Sequence, residues 1–135
     1  MGWAAELRTL ESHFNTEWAG TTPVQYANDS AFQPPTDGSS WVSFTVIQGG
    51  SGTMGGRSNT ARLFRHAGVI QIDIFTPQGI GVESALSLAD QAAAIFRATR
   101  IDDVLCRAPA ISRPASDGNY FRVTLSINYQ RDEIL

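Results

Sequence analysis

The stretch from residue 120 to residue 129 alternates regularly between apolar and more polar side chains. Its core-forming members occupy every second position: Phe121, Val123, Leu125, Ile127 and Tyr129. Because successive side chains of a β-strand point to opposite faces of a sheet, this alternation predicts a long strand with one buried face. Such a strand needs neighbouring strands and a covering layer, which the rest of the chain must supply.

Two further strands are predicted on either side of a glycine-rich stretch. Alternate positions on these strands are apolar: Val42, Phe44, Val46, Ile70, Ile72 and Ile74. The stretch between them, "QGGSGTMGGRSN" at residues 48–59, contains five glycines and no helical pattern. The pattern predicts a long β-hairpin over residues 41–75 with a loose glycine-rich tip, and we expect this tip to be highly mobile in the free subunit.

Two helices are predicted from apolar residues at steps of three and four. The first, over residues 3–18, has one apolar stripe: Trp3, Leu7, Leu10, Phe14 and Trp18. Gly20 follows it as a stop signal. The second follows a turn at Pro77–Gly81, and its apolar positions are Val82, Leu86, Ala89, Ala93 and Phe96. Small alanines on this face allow the helix to approach a sheet closely.

Shorter segments complete the predicted architecture. We expect an extended segment at residues 22–29, an irregular loop at 28–40, and short strands near 104–107 and 109–113. Strands that follow one another without a helix after each predict an α+β fold: a mostly antiparallel sheet with a long β-hairpin arm and two main helices packed on one face. The chain length predicts a single domain over residues 1–135.

The charged residues exclude several functional classes. The net charge is −3, and all ten basic residues are arginine. A nucleic-acid footprint needs clustered cations, whereas a P-loop or a Schiff base needs a lysine. We therefore expect no sequence-specific nucleic-acid binding. The sequence has no apolar run long enough for a membrane span and no secretion signal, which predicts a soluble protein of a cytoplasm-like compartment.

Metal and catalytic motifs are missing from the sequence. Cys106 is the single cysteine, and the two histidines, His13 and His66, lie far apart and outside any zinc-binding spacing. Serines and carboxylates are present, but no nucleophile elbow or metalloprotease motif groups them. We expect no catalytic, metal-binding or cofactor-binding residues and assign His13, His66 and Cys106 structural roles.

The glycine-rich stretch leaves one enzymatic alternative open. Glycine turns can present backbone N–H groups to a phosphate, which would suit a small-ligand or nucleotide-binding enzyme using residues 48–59. A phosphate loop, however, precedes a helix, and here the following sequence is strand-like. Apolar residues on both faces of the hairpin, with Trp41, Thr45, Ile47, Val69 and Phe75 on the second face, favour contacts with another subunit. A general interaction module is a third alternative.

A longer motif resembles the phage tail terminator family. It is "R-x-x-R-H-A-G-V-I-Q-I-D-I-F-T-P-Q-G-I-G-V-E-S-A-L-S-L-A-D" at residues 62–90, flanked by "W-x-G-T-T-P-V-Q-Y-A-N" after the first helix, "W-V-S-F-T-V" before the glycine-rich stretch, and the terminal "Y-F-R-V-T-L-S-I-N-Y". The similarity runs from about Leu7 to Tyr129, and its specificity lies in the order and spacing of these motifs.

The resemblance implies a non-enzymatic virion assembly protein without a cofactor. Its subunits would close into a ring, typically a hexamer, that caps the tail tube, ends tail polymerisation and provides the head-tail joining surface. Its partners would be further copies of itself, the tail tube protein and the head-tail connector protein. It would assemble in the host cytoplasm and lie at the head-proximal end of the tail. Another phage tube, connector or minor tail protein is an alternative within the same class.

A closed ring requires two different, complementary patches on each chain. The hairpin would supply one of them: Trp41, Thr45, Ile47, Gly49, Gly50, Met54, Arg57, Arg62, Arg65 and Phe75. Acidic partners for its arginines are expected among Glu83, Asp90 and Asp102. Residues 48–61 would order only on assembly.

Overall fold

The computed structural model describes residues 2–53, 63–112 and 114–134. Its elements in chain order are α1 (Trp3–Trp18), β1 (Val24–Tyr26), β2 (Trp41–Thr53), β3 (Leu63–Pro77), α2 (Glu83–Phe96), β4 (Arg100–Ile101), β5 (Val104–Ile111), β6 (Ala115–Asp117) and β7 (Tyr120–Ile134). The fold is a mixed α/β fold with two helices and one strongly curled, seven-stranded sheet.

The last strand, β7, lies in the middle of the sheet. The strand order is β1, β2, β3, β7, β5, β4, and the short β6 also pairs with β7. β3 pairs with β7 over its whole length, from Leu63 opposite Ile134 to Pro77 opposite Tyr120. Among the described strands the pairings are antiparallel, except that the edge strand β1 runs parallel to β2.

One hydrophobic core lies between the sheet and both helices. Phe14 of α1 stacks on Phe44 of β2 at 4.8 Å between ring centroids, and Phe96 of α2 lies 6.0 Å from Phe44. The alternating residues predicted to face inward on β2, β3 and β7 belong to this core. Both helices therefore cover the face of the sheet that carries Phe44.

The first helix has the predicted bounds but a partly different buried face. Its buried residues follow one another at intervals of four positions: Glu6, Leu10, Phe14 and Trp18. Trp3, predicted on the apolar stripe, is 58% exposed. The helix ends with Ala19 and Gly20 at positive φ, as the predicted stop at Gly20 requires.

The second helix packs through small residues. Its buried members are Ala85, Ala89, Ala92, Ala93 and Phe96. Val82 and Leu86, predicted on the buried face, are exposed. The alanines bring the helix backbone close to the sheet. With the alanine side of the helix facing the sheet, the larger Leu86 lies on the solvent side. The turn before the helix has Gly79 at φ 87° and Gly81 at φ 85°, a left-handed conformation that favours glycine.

Two strands differ from the predicted ones. β2 continues to Thr53, so residues 48–53 of the predicted glycine-rich loop are strand, with a bulge between Gln48 and Ser51. The predicted mobile tip, residues 54–59, lies outside the described residues. The two short strands predicted near 104–113 form one strand, β5, because Pro109 occupies a bulged edge strand where its missing N–H breaks no ladder.

Candidate interaction surfaces

A buried ionic network joins α1 to β7 at one end of the sheet. Glu6 and Arg131 are each 1% exposed, and Nε of Arg131 lies 2.8 Å from Oε1 of Glu6. The other carboxylate oxygen of Glu6 accepts hydrogen bonds from the Tyr129 hydroxyl at 2.8 Å and from the Gln48 amide at 3.0 Å. The charge of Glu6 is thus compensated by one cation and two neutral donors.

The network continues to the edge of β2. Arg131 also contacts Glu133 at 3.1 Å, and Oε1 of Glu133 lies 2.8 Å from Nε2 of His66. The Ser51 hydroxyl contacts Nδ1 of the same histidine. The order serine, histidine, carboxylate resembles a catalytic triad. Here, however, Glu133 is shared with Arg131. His66 is therefore part of a chain of polar contacts that connects β2, β3 and β7.

The contacts of Glu133 make part of the folding free energy pH-dependent. The hydrogen bond from His66, together with the Arg131 charge, holds the pKa of Glu133 below its usual value. A carboxyl group whose pKa is lowered by folding favours the native state above its unfolded pKa. That contribution is lost as the pH falls through the lowered value.

Arg65, a predicted interface residue, pairs within its own chain. Its guanidinium donates two hydrogen bonds to Asp132, at 2.8 Å from Nε and 3.0 Å from Nη2. This bond lowers the pKa of Asp132. The pair is more than one-third exposed, so it lies at the surface. The other predicted hairpin cations, Arg57 and Arg62, and Met54 lie outside the described residues.

Trp41 and Phe75 are packed inside the chain. Their rings stack at 4.1 Å, and each residue is 8% exposed. The loop before β2 covers them, because Phe32 packs against Trp41 at 5.3 Å and the Tyr120 hydroxyl donates to the Pro35 carbonyl at 2.8 Å. This confirms the irregular loop at 28–40.

The other predicted interface residues remain at the surface. Thr45 is half-buried, and Ile47 is 47% exposed on the sheet face opposite the helices. Gly49 and Gly50 are exposed at the β2 bulge, whereas Glu83 and Asp90 are exposed on α2. Asp102 is exposed in a turn before β5. The predicted contact of these acidic residues is with the hairpin arginines of a neighbouring subunit, and it stays a prediction.

Exposed apolar residues that the sequence did not indicate lie at both ends of the sheet. Trp3 and Ile134 are at the end where Leu63 pairs with Ile134. At the opposite end, beyond Pro77, the turn and first helical residues expose Ile80, Val82 and Leu86. We call these sets the Trp3 end and the Ile80 end. For Trp3, Val82 and Leu86 the exposure could not be predicted, because each fits an amphipathic helix with its apolar side facing inward.

Besides His66, two other residues with predicted structural roles, His13 and Cys106, are held by packing. His13 lies on α1 with Nε2 3.3 Å from the carbonyl oxygen of Ile95. Cys106 is buried in β5, and burial raises the pKa of its thiol to about 11.

We expect Cys106 to be protected from thiol reagents in the native protein. Because burial raises the pKa of the thiol to about 11, little thiolate is present at pH 8, and a reagent reaches it only when the strand opens. For a domain of ordinary stability, labelling at pH 8 should be at least ~1000-fold slower than in urea. The measurement is mass-spectrometric labelling with an alkylating reagent, with a Cys106→Ala variant as the blank. Fast labelling of folded protein would contradict the burial of this strand.

Metal and membrane sites are not apparent in the part of the chain that the structure describes. Within residues 2–53, 63–112 and 114–134, no three histidine, cysteine or carboxylate side chains are placed to hold a metal ion. Neither α1 nor α2 is long and apolar enough to span a bilayer.

Comparison with known proteins identifies a family and solved structures of similar fold. One solved chain aligns with a TM-score of 0.65 at 20% identity, covering 96% of each chain, which establishes a shared fold. A chain from the virion of a native gene transfer agent particle aligns with a TM-score of 0.47 at 16% identity, over 93% of this chain and 90% of that one, and is too distant to support a functional argument. No curated protein matches the sequence significantly.

The sequence matches the phage tail terminator family over residues 7–129. This range includes both helices almost entirely and the sheet as far as Tyr129. The family is structural, which removes the alternative of a nucleotide-binding enzyme using residues 48–59. The chain therefore belongs to the phage tail terminator family, and it is a structural protein of the phage tail rather than an enzyme.

Proposed function

We propose that the protein forms a ring, expected to be hexameric, that caps the phage tail tube, ends its polymerisation and provides the surface for joining head to tail. The observation that carries this proposal is the family match over residues 7–129. The proposed partners are further copies of the chain, the tail tube protein and a head-tail connector protein. The proposed location is the head-proximal end of the tail, after assembly in the host cytoplasm.

The surfaces of the monomer support an assembly with different contacts on its two ends. The Trp3 end and the Ile80 end expose different apolar residues at opposite ends of one sheet. A cap must contact the tube on one side and the connector on the other, so it needs two distinct surfaces. Exposed apolar side chains that lie together at one end of a domain are candidates for contacts with another protein.

The hairpin residues keep a proposed role in subunit contacts. Ile47, Gly49 and Gly50 are exposed along β2, and residues 54–62 connect β2 to β3. We propose that the hairpin of residues 41–75 is an arm that contacts a neighbouring subunit or lines the tube, with Arg57 and Arg62 as its charged contacts. Arg65 can join such a contact only while sharing Asp132, its partner within the chain.

Electron microscopy of negatively stained samples tests the proposal. Purified protein mixed with tail tubes should show rings, or density at one end of each tube, and should stop tube elongation. A Leu86→Glu variant places a charge on the Ile80 end and should reduce capping at least tenfold. Ala94→Glu makes the same kind of change on the exposed side of α2 away from that end and should cap normally. Protein that stays monomeric and ignores tubes would refute the proposal.

A further inference from the structure

One long edge of the sheet has no strand beside it in the described chain. On one side, β2 pairs with β3 from Trp41 to Thr53. On its other side, β2 pairs with β1 only at Val42–Phe44. Residues 45–53 of β2 therefore have no described strand on their outer side. At 3.2–3.4 Å per residue, this open edge is about 30 Å long.

The alternation of backbone groups identifies which of them point outward. Val42 donates its N–H to the Pro23 carbonyl on the β1 side at 3.1 Å, so Val46 and Gln48 also direct their backbone groups away from β3. The bulge after Gln48 shifts this alternation by one residue. Thr53, opposite Phe64, consequently has its N–H on the open edge.

This edge has few of the features that protect strand edges from pairing. Natural edges are usually protected by charged side chains, proline or a covering segment. Residues 45–53, "TVIQGGSGT", include no charged residue and no proline. The bulge at Gly49 and Gly50 is the only interruption along it in the described structure. The edge is chemically suited to receive another extended strand.

A second, different edge lies on the opposite side of the same sheet. β4 covers Val104 and Leu105 of β5, and the Thr99 carbonyl before β4 accepts the Cys106 N–H at 2.8 Å, so the open edge begins after Cys106. Ser112 donates its N–H inward to Thr124 at 2.8 Å, so Pro109 and Ile111 direct their backbone groups outward by alternation. Pro109 offers a carbonyl without an N–H, whereas Ile111 offers both groups.

We infer that the open edge of β2 pairs through its backbone with the open edge of β5 in a second copy of the chain, so that the sheet continues across the subunit boundary. The inference rests on the proposed ring, and it names the contact within it. Each chain carries both halves of this contact on opposite sides of one sheet, so the pairing is heterologous and repeats from copy to copy. It also shields Ile47 and Ile111, which are 47% and 49% exposed beside the two edges.

Proline variants test the pairing directly, because proline lacks the backbone N–H that donates a hydrogen bond to a carbonyl of the neighbouring strand. Thr53→Pro and Ile111→Pro should each weaken self-association roughly tenfold in sedimentation experiments, the effect of one or two lost hydrogen bonds. Thr53→Ala and Ile111→Ala keep the N–H and should associate more tightly than the matching proline variants. Circular dichroism and thermal unfolding confirm that each variant monomer is folded.

Hydrogen exchange identifies the partner. In the assembled protein, the outward-facing amides of β2 that enter the pair and the amide of Ile111 should exchange more slowly than in dilute monomer, by about tenfold or more. Normal ring formation by both proline variants would overturn the edge pairing and leave the proposed capping function standing. Protection that appears only after tube protein is added would show that the tube, rather than a second copy, occupies the edge. Absence of rings and caps in the unmodified protein would overturn both proposals.

Discussion

Replacing Glu6 by alanine should lower the free energy of unfolding by about 3–5 kcal/mol, because it removes one partner of a buried ion pair. Arg131 would keep its contact with Glu133 but lose the carboxylate 2.8 Å from its Nε. The Tyr129 hydroxyl would lose its acceptor in a buried position. Chemical denaturation monitored by circular dichroism measures the change.

Two further variants separate this effect from the helix itself. Glu17→Ala makes the same substitution on an exposed face of α1 and should change stability by no more than about 0.5 kcal/mol. Combining Glu6→Ala with Arg131→Met also removes the buried cation that has lost this carboxylate, and it should recover part of the loss. A Glu6→Ala variant that loses less than about 1 kcal/mol would contradict the buried network.

Replacing Gly68 by alanine should cost about 1–3 kcal/mol through steric overlap. Gly68 lies opposite Tyr129 in the β3–β7 pair, and the tyrosine ring lies over it. A Cβ at residue 68 would be 2.5 Å from Cζ and 2.7 Å from Cε2 of that ring. The ring cannot move away freely, because its hydroxyl donates to Glu6 and the residue is buried.

A glycine on the open part of β2 provides the control. Gly50→Ala adds the same methyl group where no atom lies within 4 Å, and it should change stability by no more than about 0.5 kcal/mol. Tyr129→Ala removes the ring, so adding Gly68→Ala to that variant should cost little more. Equal losses for Gly68→Ala with and without the Tyr129 ring would show that the overlap does not cause the effect.

The periodic parts of the fold could be predicted because their signals are local. The bounds of α1 and the inward face of β7 follow from spacing alone, as does the turn with Gly79 and Gly81. The burial of Glu6 could not be predicted in this way. A carboxylate is rarely buried without a partner, and its partner Arg131 is 125 positions away in the sequence.

The surfaces were harder to predict than the core, since exposure depends on what packs nearby. Trp41 and Phe75 were predicted at a subunit interface because their pattern shows apolar character on a second face. Within the single chain the loop carrying Phe32 and Pro35 packs over them, and their role at an interface stays a prediction. Glycines 49 and 50 suggested a loop, but pairing with β3 holds them in a strand with a bulge. In each case, contacts between residues far apart in the sequence determine the local structure or the burial of the side chain.

The central place of β7 has a consequence for the order of events during synthesis. The strand is made after every other element, yet β3 and β5 meet only through it. Until residues 120–134 leave the ribosome, the strands of the chain form two separate groups. Glu6 of α1 also lacks Arg131, its partner in the buried ion pair. Formation of the sheet must wait for these late, long-range contacts. A chain interrupted before β7 therefore lacks the strand that joins the two halves of its sheet, together with the surfaces that depend on it.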